Sequence, residues 1–438
     1  MYPDPVIAGT VSMTQIQDHP LRYHLTNELH ARPFPTMDAP CTALFIAIKH
    51  EGEAAVRDRQ KDLEHLIALL DRHGAPHPRP DATHYSGTIG RHRLKWEQHT
   101  EFVTYTAFSD GLAQRPFDPA DFDVFPADWL AKAPGQRITS ASLRIDTRPD
   151  DAVIYERLGE WFVPESLAVS QVLDAAAVVG ADFRIDPAGH LRFAVFVTPG
   201  TGKRRIGRIV QRLCEIETYK SMSMLGFARV RELSPRIGAL GNDLTGLTAE
   251  MTEGDTPAEV TLPKLLAISA ELEAMAARSS FRFGATGAYE AIVTQRIEAL
   301  REVRFGGGQT FAEFMMRRYE PAMRTVNATQ GQLQSLADRA IRAGDLLRTR
   351  VDVERSAQNQ KLLESMDRRA DLQLRLQHTV EGLSVVAISY YAVSLATYLL
   401  YPLATVLDLS KGVLASAVTL PVAGLVWFLV RRIRRKIG

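Results

Sequence analysis

The sequence predicts an α+β protein with an N-terminal mixed α/β domain, a long helical stalk and two apolar helices toward the C-terminus. Three observations predict it. Short apolar runs and alternating stretches rich in Thr, Tyr, Val and Ile fill residues 38–198. After Gly202 the apolar residues switch to a period near 3.6. Finally, Leu383–Tyr401 and Val413–Val430 carry no charge and are each long enough for a tilted helix to cross a bilayer.

Each element follows from its local pattern. "CTALFIAIKH", Cys41–His50, is a short apolar run between Pro40 and Glu51, as a buried strand requires. Behind it Val56, Leu63, Leu66, Ile67 and Leu70 recur at helical spacing until Gly74 closes the pattern. Residues 83–108 and 136–146 alternate in polarity and predict two to four more strands. Residues 175–198 predict a hairpin turning at Asp186-Pro187-Ala188-Gly189. From Lys203 to Arg278, and again from Tyr289 to Arg301, the pattern is helical. From Thr310 it runs on to Tyr401, with Pro321 near its start and Gly344 as the internal breakers. As one helix, Ala322–Tyr401 would span roughly 120 Å, so it is expected to be a stalk packed on copies of itself or on neighbouring helices.

Composition limits the function classes. A chain of 438 residues suffices for two to three domains, and a formal net charge of +1 gives no field that would gather nucleic acid. The two cysteines, Cys41 and Cys214, match neither a metal-ligand spacing nor a disulfide framework, which suits a reducing compartment. No basic stretch followed by a leader-type apolar run opens the sequence, so the body is expected in the cytoplasm.

The expected segments are a cytoplasmic mixed α/β domain (1–200), a helical region (201–308) and a long stalk helix of coiled-coil type (309–382). Two transmembrane helices (383–430), joined by a short outer loop (402–412), and a basic cytoplasmic tail (431–438) complete the chain. Arg368, Arg369 and Arg375 precede the first span, and Arg431, Arg432, Arg434, Arg435 and Lys436 follow the second, whereas the loop has Lys411 alone. The positive-inside rule then puts both termini in the cytoplasm and the loop outside.

The first span is two-faced. At 100° per residue, Ser384, Tyr390, Tyr391, Ser394, Thr397, Tyr398 and Tyr401 fall within about 140° of arc. Val385, Val386, Val393, Ala396, Leu399 and Leu400 take the opposite arc, with Ser389 as its polar exception. Hydroxyls facing lipid lack partners, so the Tyr/Ser face is expected to meet protein or water. Two readings fit: Ser384, Tyr391, Ser394, Tyr398 and Tyr401 line a pore within a ring of identical helices, or the stripe is polar glue between helices. In the second span Pro421 is a mild kink and Trp427 an interface anchor.

This order of parts, together with "NQKLLESMDRRADLQLRLQHTVEGLSVVAISYYAVSLATYLLYP", resembles the CorA-type magnesium transporters. The resemblance covers a little over the last quarter of the chain well and the remainder by architecture. It implies a homo-oligomer of five subunits surrounded by membrane lipid, with the first span around the pore. It also implies a divalent cation, held as a hydrated ion through carboxylates or hydroxyls. That family ends its first span in Tyr-Gly-Met-Asn. Here the corresponding residues are Tyr398-Leu399-Leu400-Tyr401, so the tyrosine is matched and the asparagine that holds hydrated magnesium is not. Asp408 remains as the carboxylate of the outer mouth. "HPLRYHLTNELHARPFPTM", His19–Met37, together with the two spans, is similar to a bacterial family of membrane-anchored proteins known as a domain of unknown function. That likeness covers nearly the whole chain, implies the bacterial inner membrane and brings no established activity.

Asn27, Glu28, His30 and Arg32 lie close together in "NELHARPF", a set fit for acid–base or anion-binding work. The competing reading, a loop under the sheet with its charges satisfied by neighbours, is favoured by Pro33 and Pro35. "VFVTPGTGKRRIG" departs from a phosphate loop, since Val197 stands where the first glycine belongs and Arg204 where a hydroxyl would hold magnesium. Lys203, Arg204 and Arg205 still offer an anion a basic helix start. His73, His77, His84, His92 and His99 form the densest histidine set, without a helical ligand pair. No nucleophile elbow is present, and no enzyme is expected. The expected function is a CorA-like ion channel or transporter; the alternative is a non-conducting membrane-anchored scaffold or regulator with a ligand-binding cytoplasmic domain.

Overall fold

The computed structural model describes residues 17–28, 34–50, 57–253, 256–406 and 410–437. They belong to two compact units, Met1–Leu247 with Leu266–Ile341, and Thr248–Leu265 with Arg342–Gly438.

The first unit is organised by a nine-stranded mixed sheet, β2-β3-β4-β1-β5-β8-β7-β6-β9. Its strands are β1 Cys41–Lys49, β2 His84–Ile89, β3 His92–Gln98, β4 Phe102–Asp110, β5 Gln136–Thr147, β6 Ala168–Val172, β7 Ala177–Ala181, β8 Leu191–Val197 and β9 Val303–Arg304. Neighbours run antiparallel except β5 and β8, which are parallel. The expected hairpin is β7–β8, with Gly189 at φ 90 in its turn donating to Asp186 O at 2.9 Å.

The strand period of two explains what covers each face. Leu44, Ile46, Ile48, Leu94, Trp96, Val103, Tyr105 and Ala107 meet Leu63, Leu66, Leu69 and Leu70 of α2, Arg59–Arg72, in one core. Phe125 and Trp129, the latter from the short α3 Ala127–Leu130, close that core. The intervening residues of the same strands, among them Phe45, Lys95, Glu97, Phe102 and Thr104, turn to the opposite face, under α5 Lys203–Glu253. A second core under α4, Asp151–Trp161, joins Ile154, Leu158, Val178 and Phe196. The short α1 is Arg22–Glu28.

The helical half departs from the expected segmentation at two points. Instead of one helical run to Arg278 and another from Tyr289, the chain forms α5 to Glu253 and an unbroken α6, Ala258–Leu300. Pro257 stands directly before α6 and disfavours helix in the residue preceding it. The run expected from Thr310 is also split, into α7 Phe311–Arg318 and α8 Glu320–Val406. A capping box between Thr310 and Glu313 starts α7, and Pro321 occupies the first turn of α8, where its missing N–H is harmless. Alpha5 and α6 approach closely at Gly226, where an added Cβ would lie 2.2 Å from Thr286 Oγ1.

In the second unit, Arg350 of α8 donates to Met251 O at 3.1 Å and pairs with Glu354 at 3.0 Å, while Arg355 reaches Glu259 at 3.3 Å. Alpha8 and α9, Lys411–Ile437, each contain a stretch long and apolar enough to cross a membrane. Half-buried residues recur at helical spacing on both: Val385, Ser389, Val393 and Ala396 on α8, Leu414, Val418 and Val422 on α9, the latter continued by the buried Val426. Two helices lying side by side produce this pattern.

Candidate functional site

Between the sheet and α5 lies a cavity of about 320 Å³, roofed partly by Phe34 and Pro35. It exists because β3 alternates Leu94 and Trp96 with Lys95 and Glu97, and both of its faces are covered. Pro35 passes close over α5 at Gly207, where an added Cβ would lie 1.7 Å from Pro35 O, so only glycine allows that approach.

One wall is a chain of paired charges. Lys95 Nζ lies 3.0 Å from Glu97 Oε2 and donates to Gln211 Oε1 at 3.1 Å. Gln211 donates to Glu215 Oε1 at 2.8 Å, and Glu215 in turn pairs with Arg296 of α6. Two cations thus face two carboxylates, with Lys95 and Glu97 both mostly buried. Removing any one member would leave a poorly solvated charge behind. A second part of the lining is aromatic. His99 stacks on Phe102 at 4.5 Å, Phe102 meets Tyr219 edge-on at 6.0 Å, and Tyr219 stacks on Tyr289 at 5.5 Å. Just behind it Tyr289 donates to Glu101 Oε1 at 2.8 Å, and Glu101 pairs with Arg282. Burial, reinforced by the Glu101 carboxylate, raises the Tyr289 hydroxyl well above its usual range.

Cys214 also lines the cavity, but burial pushes its thiol far up, so it stays protonated and unreactive. No group here is a nucleophile activated by a base. The arrangement suits reversible binding of a small molecule with an apolar body and a polar edge.

The sequence-level candidates fall elsewhere. Asn27 and Glu28 end α1, whereas His30, Arg32 and Asp408 lie outside the described residues. The same segment reaches the cavity through Phe34 and Pro35. In the apolar stretch of α8, Ser384, Tyr391, Tyr398 and Tyr401 are exposed and Ser394 is half-buried. The expectation that every hydroxyl there needs an outside partner is corrected: Ser384 donates to Val380 O and Thr397 to Val393 O, both at 2.8 Å. Such back-bonding satisfies a hydroxyl within its own helix. The requirement therefore rests on Tyr390, Tyr391, Ser394, Tyr398 and Tyr401, which make no hydrogen bond among the described residues.

The histidine set disperses. His77 pairs with Asp71 at 2.6 Å, His92 bonds Ser109 at 2.5 Å and His99 is in its aromatic stack. Among the described residues no group of three His, Cys, Asp or Glu side chains is placed to hold a metal ion. Sequence reasoning missed Lys95, Glu97, Glu215 and Arg296. The available signal was a charged pair inside a strand of otherwise buried character, but which helix covered it was not local information.

The family described as a protein of unknown function (DUF3422) matches residues 17–437. No curated protein matches the chain.

Proposed function

The chain belongs to the DUF3422 family, and from that premise we propose a homo-oligomeric inner-membrane protein of CorA-like organisation, five subunits around one path, that conducts an ion. The observation that carries this reading is the unbroken course of α8 from Glu320 to Val406, through a charge-free stretch with Leu383, Val386, Tyr391 and Tyr398 all exposed. A helix that presents both apolar and tyrosine surfaces has use for two different neighbours, lipid and another copy of itself. The side-chain hydroxyls of Tyr391, Tyr398 and Tyr401 are the groups that would replace or hold part of an ion's hydration shell. Both termini would then lie in the cytoplasm, with the basic end of α9 on the cytoplasmic side.

Ion flux into liposomes carrying the full-length chain tests this, with magnesium, zinc, cobalt, sodium and potassium in parallel. Flux that Tyr398→Leu abolishes while the oligomer persists supports the proposal; a stable oligomer without flux under any gradient refutes conduction. The cavity beneath Phe34 favours a second reading, a membrane-anchored regulator whose α/β unit binds a small ligand, and that reading survives a flux-negative result.

A further inference from the structure

The first unit contains another cleft, of about 600 Å³, whose walls come from three elements. Arg205, Arg208 and Arg212 share one face of α5 at spacings of three and four, and Arg301 directly follows α6. Facing them is the β6–β7 turn, in which Leu173, Asp174 and Ala175 hold φ of 49, 52 and 63; Arg301 holds 48. Four consecutive or adjoining non-glycine residues in the left-handed region persist only where surrounding contacts fix them. Those contacts are visible: Leu173 N donates to Leu300 O at 2.9 Å, and Asp174 pairs with Arg205 at 3.0 Å and Arg301 at 2.8 Å.

We propose that this cleft binds a phosphate-bearing anion, with Arg208 and the remaining N–H groups of Arg205, Arg212 and Arg301 donating to its oxygens. Four guanidinium groups meet two carboxylates, Asp174 and Glu298, so positive charge is in excess. Arg208 is exposed and makes no ion pair among the described residues, leaving its planar fork free for two parallel bonds to one phosphate. Arg212 is held by Ala299 O at 2.7 Å, and burial together with Arg208, Arg296 and Arg301 lowers its affinity for its proton. A bound anion removes that mutual repulsion. None of the lining residues is aromatic, so the cleft recognises charge and not a base. The inference is independent of conduction, because none of these residues lies in either span.

The test is calorimetric titration of the detergent-purified full chain with pyrophosphate, and separately with short-chain phosphatidylglycerol, at low salt. Saturable binding of pyrophosphate, weakened about ten-fold or more by Arg208→Glu, is the expected result, since a bond to a charged group is worth at least that factor. Binding of the lipid headgroup alone, with the same sensitivity, would keep the anion site and name its source as the membrane. Arg301→Gly supplies a second variant whose backbone suits its positive φ; it should leave the melting temperature unchanged or raised while binding weakens. Absence of binding by both probes, or binding indifferent to Arg208→Glu and Arg301→Gly in folded protein, would overturn the proposal.

Discussion

Tyrosines in the two units live under opposite rules. In the first unit Tyr289 donates to Glu101 at 2.8 Å, Tyr319 and Ser223 share a bond at 2.8 Å, Tyr105 bonds His65 at 3.0 Å and Tyr85 donates to Pro76 O at 2.9 Å. On the apolar part of α8, Tyr390, Tyr391 and Tyr398 are 69%, 71% and 76% exposed. A buried hydroxyl without a partner is expensive, so a folded unit finds one inside itself. Tyr390, Tyr391 and Tyr398 make no hydrogen bond among the described residues. The comparison teaches that these tyrosines of the α/β unit are satisfied by its own packing, whereas those on the apolar part of α8 are left exposed.

The largest expected effect would come from breaking the Glu101–Arg282 pair, buried behind the cavity wall. Glu101→Ala would leave Arg282 without its buried counter-ion and Tyr289 without its acceptor, and should destabilise the first unit by about 3–5 kcal/mol in denaturant unfolding. A loss below about 1 kcal/mol would mean that water already reaches the pair.

Next comes Gly226→Val, which would force a side chain against Thr286 where a Cβ alone comes within 2.2 Å. Overpacking of this kind costs about 1–3 kcal/mol, and the midpoint of chemical unfolding should fall accordingly. Unchanged stability would show that α5 and α6 separate there at little cost.

Acid probes the interior of the same unit. His190 is stacked on Phe122 at 3.5 Å and bonded to Ser140 at 2.9 Å, and burial lowers its pKa to about 4, with Arg137 adding to the effect. The ordinary value is near 6.5, so the unfolded chain binds this proton first. The contribution is therefore complete above pH 6.5, lost as pH falls from 6.5 toward 4, and flat below. Its size is about 1–3 kcal/mol. Burial lowers His65 in the same direction. In His190→Gln the acid limb of the stability profile should be shallower; an identical limb would remove His190 from the account.

The smallest energetic effect should fall on the apolar part of α8. Tyr398 belongs to the second unit and is exposed, so Tyr398→Leu should leave unfolding of the first unit unchanged. If the tyrosine face holds subunits together, the oligomer weakens by about 0.5–2 kcal/mol, read from its dissociation in detergent. If it lines a path for ions, the oligomer stays and flux changes.

Much of this was legible along the chain. Cys41–Lys49 appears as a strand in both readings, because a continuous apolar run needs no knowledge of its partners. The apolar, charge-free parts of α8 and α9 are likewise plain from composition. Beta6, α4 and β9 were not read: β6 is five residues and β9 two, too short for a period to emerge, and α4 mixes charge into its pattern. The division into α5, ending at Glu253, and α6, beginning at Ala258, escaped as well, since the helical periodicity of the second is almost in phase with that of the first.

Sequence alone determined the local periods, the two-faced apolar stretch of α8 and the basic residues that flank the two apolar stretches, because each depends on neighbours within a few turns of chain. Tertiary structure decided which face of β3 is roofed by α5, and so made Lys95 and Glu97 a cavity wall. That contact joins Lys95 to Gln211 across 116 residues. It also gathered Arg205, Arg208 and Arg212 with Arg301 and Asp174 around one cleft. Periodicity reports which side of an element is apolar; only the packing of distant elements reports which polar groups are brought to the same place.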